Sequence, residues 1–175
     1  ALSAVINPSD VIAPVQDFPE ICVSTFSGAI IDRFASGEGA EVIARIYTAN
    51  GSVPVCRTVY KGVPIAFYLS QVGAPACVAG FEEVHAMGAE TFVWFGSCGV
   101  LDDKKVGGRL IIPDSAVREE GTSYHYAPPA AEIRQHERSI HSLARTMDNL
   151  GHSYIKGKVW TTDAIYRETK NKVED

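Results

Sequence analysis

Between residues 63 and 96 the hydrophobic period of this chain changes twice, and that change constrains the fold more than any other feature. VPIAFYL (63–69) is a run of apolar and aromatic residues of strand length. From residue 75 to 87, Val78, Phe81 and Val84 recur at helical spacing with Glu82, Glu83 and His85 between them, and Gly88 stands where a helix-ending glycine belongs. TFVWFG (91–96) then runs apolar without alternation, the pattern of a strand buried on both faces. Strand, helix, strand in that order predicts a right-handed parallel crossover.

The rest of the sequence extends the same alternation. EICVST (20–25) reads as a first buried strand, followed by Gly28 and a short apolar-periodic helix, AIIDRFAS. Residues 41–48 and 54–60 are strand-like and joined through Asn50-Gly51, a strong hairpin dipeptide, and Lys61-Gly62 predicts a second tight turn. These strands form an antiparallel meander. Residues 109–117 (RLIIPDSAV) read as a further strand. Ile140, Leu143, Met147 and Leu150 place an apolar stripe on a second long helix closed by Gly151. Residues 154–162 read as a last strand, running into a polar helical tail, RETKNKVED. The expected fold is α/β, with a mixed central sheet flanked by helices in a single domain over residues 1–175.

Composition narrows the function. The chain has 175 residues, 46% of them apolar and 21% charged, which is ordinary for a folded domain. Sixteen Lys and Arg face 21 Asp and Glu, for a net charge of −5, so a nucleic-acid partner is not expected. Apolar stretches are short and interrupted, and the initial ALSAVINPSD has neither a basic region nor a long apolar run. Neither a membrane span nor a signal peptide is expected, and the expected location is cytoplasmic. Cys22, Cys56, Cys77 and Cys98 are widely spaced, which favours reduced, mostly buried thiols, with Cys98 read as a small core residue. The five histidines show no metal-binding spacing; His136 and His141, five apart, fall on different helix faces. No metal site is expected.

Four segments rich in small and polar residues follow strands, where open α/β sheets collect ligands. In SQVGAP (70–75), Gly73 permits a tight turn, Pro75 suits the first helical position, and the helix start offers N–H groups to an anion. In Gly96-Ser97-Cys98-Gly99, two glycines bracket a hydroxyl and a thiol, so backbone N–H groups and Ser97 can approach a phosphate or sugar oxygen. It is not a nucleophile elbow, because Ser97 follows Gly96 directly. The third segment, EEGTSYHY (119–126), is dense in functional side chains, with His125 read as a packing or hydrogen-bonding residue. The fourth, TTDAIYRE (161–168), has an alternative reading as a cap, with Thr162 or Asp163 accepting from backbone N–H groups. No Walker A motif and no G-x-G-x-x-G run is present.

VGAPACVAGFEEV, FGSCGVL, EEGTSYHY and TTDAIYRET, in this order, resemble the strand-end and substrate loops of the nucleoside phosphorylase superfamily, the purine nucleoside and uridine phosphorylases with related nucleosidases. The likeness spans roughly residues 18–175. It implies phosphorolysis: phosphate attacks the anomeric carbon of a purine or pyrimidine ribonucleoside, and free base and ribose 1-phosphate result. By this resemblance the chain is a pentosyltransferase without a cofactor, with phosphate as co-substrate, nucleoside as its partner and a homo-oligomeric state. The implied substrate-binding residues are Gly73, Gly96, Ser97, Cys98 and Gly99 towards phosphate and ribose, and Gly99, Gly121, Thr122, Ser123, Ile165, Tyr166, Arg167 and Glu168 around the base.

Departures from the family pattern also carry information. Trp94 and Ile30 stand at or near positions where the phosphorylases place phosphate-binding arginines; for a third such arginine, expected near Asn50-Gly51, Arg45 and Arg57 are the nearby candidates, with Arg118 or Arg167 as substitutes from elsewhere. The family's ribose-gripping Met-Glu segment, and the Asp that protonates the base in purine-specific members, would fall after residue 175. The sequence therefore reads as the N-terminal two thirds or so of the fold, with no catalytic residue assigned. The missing arginines keep a hydrolytic nucleosidase open as an alternative, although Asp32 lies two residues from where that branch carries its water-activating acid. A non-catalytic nucleoside-binding protein on the same scaffold is the third reading.

Overall fold

The computed structural model describes residues 4–174. The chain divides after Ser97 into two compact units, each α/β with a mixed sheet of its own.

The first unit begins with a short helix, α1 (Pro8–Val11), and continues through β1 (Ile21–Thr25), α2 (Gly28–Ala35), β2 (Glu41–Thr48), β3 (Gly51–Tyr60), β4 (Val63–Leu69), α3 (Ala74–Met87) and β5 (Thr91–Phe95). Its five strands lie in the order β2-β3-β4-β1-β5. β2, β3 and β4 form the expected antiparallel meander, while β1 pairs in parallel with both β4 and β5. The β3–β4 turn is Lys61-Gly62, with φ of 51° and 80°, the two positive values of a turn whose twist matches its strands. The β2–β3 turn corrects the sequence reading. Thr48 pairs opposite Gly51, so Ala49-Asn50 make the turn and Gly51, at φ 124°, opens β3. Thr48 Oγ1 closes it by accepting from the Asn50 N–H at 3.2 Å.

Strand alternation sorts the core into two layers. Cys22, Ala66 and Tyr68 pack with Val55, Ile46 and the α3 residues Val84 and Met87. Cys56 and Phe67 pack with Ile31 of α2, whose Phe34 ring lies 6.1 Å from that of Phe67. α3 starts at Ala74, so Pro75 occupies the second helical position, where its missing N–H still costs no helix bond. Gly88 ends the helix at φ 137°.

β5 is the main departure from expectation. Its apolar run predicted burial on both faces, yet only Phe92 is partly covered and Val93, Trp94 and Phe95 are exposed. Among the described residues β5 is the last strand of its sheet, with β1 as its partner, and composition alone cannot tell an edge from a centre.

The second unit contains α4 (Asp103–Val106), β6 (Leu110–Glu119), β7 (Glu132–Arg134), α5 (Glu137–Leu150), β8 (Tyr154–Thr162) and α6 (Lys170–Glu174), with single 3-10 turns at Thr122–His125 and Ile165–Arg167. β6 is central, antiparallel to β7 and parallel to β8, with a bulge between Pro113 and Ser115. α5 covers Ile140, Leu143 and Met147 of its predicted stripe in part but leaves Leu150 exposed, because Leu150 lies in the last turn, and it ends at Gly151 in the left-handed conformation (φ 69°). β7 and α4 carry too few residues to show a hydrophobic period. No helix among the described residues is long and apolar enough to cross a membrane.

Candidate functional site

In the first unit the parallel strands deliver their carboxyl ends to one edge. The Ser70 N–H donates to the Thr25 carbonyl at 2.9 Å, fixing the end of β4 against that of β1. Thr25 and Ser70 are both buried there, and the Ser70 hydroxyl donates to Cys77 Sγ at 3.2 Å. Gly73 follows at φ 100°, a conformation that side chains strongly disfavour, and its carbonyl accepts from the Cys77 N–H to open α3. Beside this turn lies a cavity of about 440 Å³ lined by Phe26, Asn50, Val53, Ser70, Gln71 and Val72 among others. Gly96, at the end of β5, belongs to the same edge. A Cβ there would stand 3.1 Å from the Phe26 ring, so the glycine leaves room for a side chain that lines the cavity.

The lining of this cavity is neutral among the described residues. Trp94 packs in an aromatic stack, 5.3 Å from Phe92 at an interplanar angle of 13° and 5.3 Å from Phe81. Ile30 lines a separate apolar cavity of about 90 Å³ with Val23, Phe34 and Phe67. Arg57 is paired with Glu41 at 2.7 Å, and Arg45 donates to Ser52 at 3.2 Å.

Ser97 closes the first unit and Cys98 opens the second, and Gly96, Ser97, Cys98 and Gly99 are all exposed, outside any helix or strand. Cys98 is thus a surface thiol and not the core residue that cysteine statistics favoured, because the chain has left the sheet by this point. Cys22 and Cys56 are buried, and burial pushes the Cys22 thiol up to about 12.

In the second unit, β6 and β8 run in parallel and end level, Glu119 opposite Thr162. Their following loops therefore leave the sheet from adjacent strand ends, the one carrying Gly121, Thr122 and Ser123 and the other leading through Asp163 to Ile165, Tyr166, Arg167 and Glu168. Asp163 joins them: its Oδ2 accepts from the Gly121 N–H at 2.9 Å, and its own N–H donates to the Glu119 carbonyl at 3.3 Å. Thr162 Oγ1 accepts from the Ala164 N–H at 3.2 Å, so both capping side chains hold backbone N–H groups, Asp163 across the two loops. Ile165 and Tyr166 are strongly exposed, Tyr166 at 92%. His125 is exposed as well.

Carboxylates organise the near side. The Ser123 N–H donates to Glu120 at 2.8 Å. Burial raises the Glu120 carboxyl, but bonds from Ser123 and Thr122 and the Arg118 charge outweigh it and leave it below the ordinary value. Glu119 accepts from Trp160 Nε1 at 2.8 Å and pairs with Lys172, and the Lys172 bond is the main cause of its lowered pKa. Arg118, an alternative phosphate ligand by sequence, is only 6% exposed and directs its donors into the protein: Nε to Ser123 at 2.7 Å, Nη1 to the Pro128 carbonyl at 2.7 Å and Nη2 to that of Ala127 at 3.3 Å. Arg167 Nη1 donates to the Tyr166 carbonyl at 3.2 Å. The sequence pointed to both loops and to Thr162 or Asp163 as acceptors of backbone N–H groups, but missed that Asp163 reaches across to Gly121, the roles of Arg118 and Trp160, and Phe26 as a lining residue.

A family model described as the phosphorylase superfamily matches residues 21–175. The chain belongs to the phosphorylase superfamily. Among curated relatives, it is 37% identical over 111 residues to a uridine phosphorylase of Thermococcus kodakarensis, covering 61% of this chain and 39% of that protein. It is 24% identical over 160 residues to a guanosine phosphorylase of Halorubrum lacusprofundi, covering 91% and 65%. The chain thus spans less than two thirds of the length of either. Two solved structures share its fold with a TM-score of 0.77. A uridine phosphorylase from Vibrio fischeri, 22% identical, is covered to 71% by 98% of this chain. A purine nucleoside phosphorylase from Toxoplasma gondii in complex with immucillin-H, 21% identical, is covered to 70% by 99%.

Proposed function

We propose that this protein is a nucleoside phosphorylase, a pentosyltransferase that cleaves the N-glycosidic bond of a purine or pyrimidine ribonucleoside with phosphate. The observation that carries the reading is membership of the superfamily over residues 21–175, with named uridine and guanosine phosphorylases among the relatives. In this reaction a phosphate oxygen forms a bond to the anomeric carbon as the bond to the base nitrogen breaks. The electron pair leaves with the base, which is protonated, and ribose 1-phosphate remains. The work left to the protein is to hold the reactants in line and to stabilise developing charge.

In this reading Gly73, Gly96, Ser97, Cys98 and Gly99 approach phosphate and ribose. Gly121, Thr122, Ser123, Ile165, Tyr166, Arg167 and Glu168 serve the base. The proposal includes phosphate as the co-substrate with no further cofactor, a homo-oligomeric assembly and a cytoplasmic location. Turnover of a panel of purine and pyrimidine ribonucleosides tests it: free base should appear with phosphate and fall to background without it. Release of base from none of them in phosphate buffer would refute it.

One observation favours a second reading. The lining of the first-unit cavity is neutral, and Trp94 is held in an aromatic stack where an arginine was expected. A phosphate dianion without cationic ligands is poorly compensated, and water as the nucleophile would remove that need. Base release equal with and without phosphate would select the nucleosidase.

A further inference from the structure

Residues 121–123 are held from two sides by side chains that do not point outward as ligands. On one side is Arg118 of β6. Its guanidinium reaches Ser123, Ala127 and Pro128 and lies 4.2 Å over the Tyr124 ring, and the Tyr124 hydroxyl returns a bond to the Arg118 carbonyl at 3.1 Å. On the other side is Asp163, which follows β8 and binds the Gly121 N–H at 2.9 Å.

Burying a guanidinium against neutral oxygens is a costly way to hold a loop, and an apolar side chain would remove the desolvation. What a planar fork of N–H donors adds is definition: it fixes several acceptors in one arrangement, which neither an apolar residue nor a lysine can do. Glu120, buried near it, supplies a negative charge that Arg118 helps to keep ionised. Asp163 adds the lateral link. Because its backbone bonds Glu119 while its carboxylate bonds Gly121, Asp163, two residues before Ile165, ties the chain that enters residues 165–168 to the start of residues 121–123.

We propose that Arg118 and Asp163 are positioning residues that set the spacing between residues 121–123 and residues 165–168, the two segments that receive the nucleobase. The inference rests on the phosphorylase reading, which assigns those segments to the base. Neither residue is a catalytic group: Arg118 is buried with its donors turned inward, and Asp163 acts through the Gly121 N–H.

The decisive experiment measures uridine and guanosine affinity by titration calorimetry for the wild type, Asp163→Ala and Asp163→Asn, with amide exchange at Gly121 as a second readout. Asp163 is exposed, so neither variant threatens folding. Alanine removes the acceptor and should weaken binding of the preferred nucleoside about tenfold while Gly121 exchange accelerates. Asparagine keeps an oxygen for that N–H and should bind within about twofold of wild type. A purely structural contribution would not give this split. Arg118→Lys keeps the charge but cannot span three acceptors, and should also bind about tenfold more weakly; if it does not fold, the Asp163 pair decides alone. Asp163→Ala binding as tightly as wild type, or Asp163→Asn as weakly as Asp163→Ala, would overturn the proposal. A wild type that releases base from no ribonucleoside of the panel overturns the phosphorylase reading and this proposal together, an outcome distinct from a failure of the variants.

Discussion

Gly88 sets where β5 begins, and so where the Gly96 strand end lies, through two constraints that can be tested together. At φ 137° it adopts a backbone conformation that side chains rarely take, and a Cβ there would stand 2.9 Å from Phe18 Cβ. Neither side can give way cheaply. The Gly88 N–H is bonded to His85, the Ala89 N–H to Val84, and the Glu90 N–H to the Glu20 carbonyl, while Phe18 packs against the buried core. Forcing the backbone costs about 1–3 kcal/mol, and overpacking costs about 1–3 kcal/mol more. Gly88→Ala should therefore destabilise the first unit by about 2–6 kcal/mol. With a urea dependence of about 2 kcal/mol per M, the midpoint should fall by about 1–3 M. The assay is urea unfolding followed by Trp94 fluorescence in a Trp160→Phe background, because Trp160 lies in the second unit. Gly28→Ala is the control: nothing lies within 4 Å of its Cβ position, and alanine should leave stability unchanged or raise it by up to about 1 kcal/mol. A Gly88→Ala midpoint within about 0.3 M of wild type, or one no lower than the control's, would refute the reasoning.

Other expectations follow from single groups. The Tyr68 hydroxyl is buried with no hydrogen-bond partner among the described residues, and burial pushes its pKa up. Tyr68→Phe should be neutral or stabilising by about 1 kcal/mol in the same unfolding assay; a loss of that size would show that the hydroxyl is satisfied. Glu120 has a lowered pKa in the folded chain, so its contribution to stability is present above the ordinary glutamate value of about 4.3 and is lost as pH falls through the lowered one. Unfolding of the second unit, monitored through Trp160, should depend more steeply on pH below about 4.3 than it does in Glu120→Gln; identical slopes would remove the claim. Towards a thiol reagent in the native state, Cys98 should react first, and Cys22 and Cys56 only on unfolding. Quantifying labelled peptides by mass spectrometry checks this, and early labelling of Cys22 would contradict it.

How much of this was legible in the sequence depends on how local each cause is. β1, β2 and β8 and the Gly151 end of α5 follow from period, strand-forming residues and a helix-ending glycine, all of which act within a few residues. Lys61-Gly62 was readable because two positive φ values are a local demand, whereas the Asn50-Gly51 hairpin shifted by one residue once the pairing of Thr48 with Gly51 set its register. Exposure of β5 was not readable, since edge or centre is decided by strand order. The three residues of β7 pair with β6 without enough length to show alternation. For the candidate site, glycine-rich segments were read as following strands, and they do follow β4, β5, β6 and β8. Burial of Arg118 could not be inferred, because the bulge between Pro113 and Ser115 interrupts the alternation of β6 and arginine is usually a surface residue. The bond from Gly121 to Asp163 spans 42 positions and exists only because β6 and β8 end level.

Phosphorus NMR of the protein incubated with guanosine or uridine in inorganic phosphate tests the central claim most directly. A phosphorylase must convert inorganic phosphate into ribose 1-phosphate, mole for mole with the free base released. Free base accompanied by ribose, with the inorganic phosphate signal unchanged, would contradict phosphorolysis and establish hydrolysis in its place.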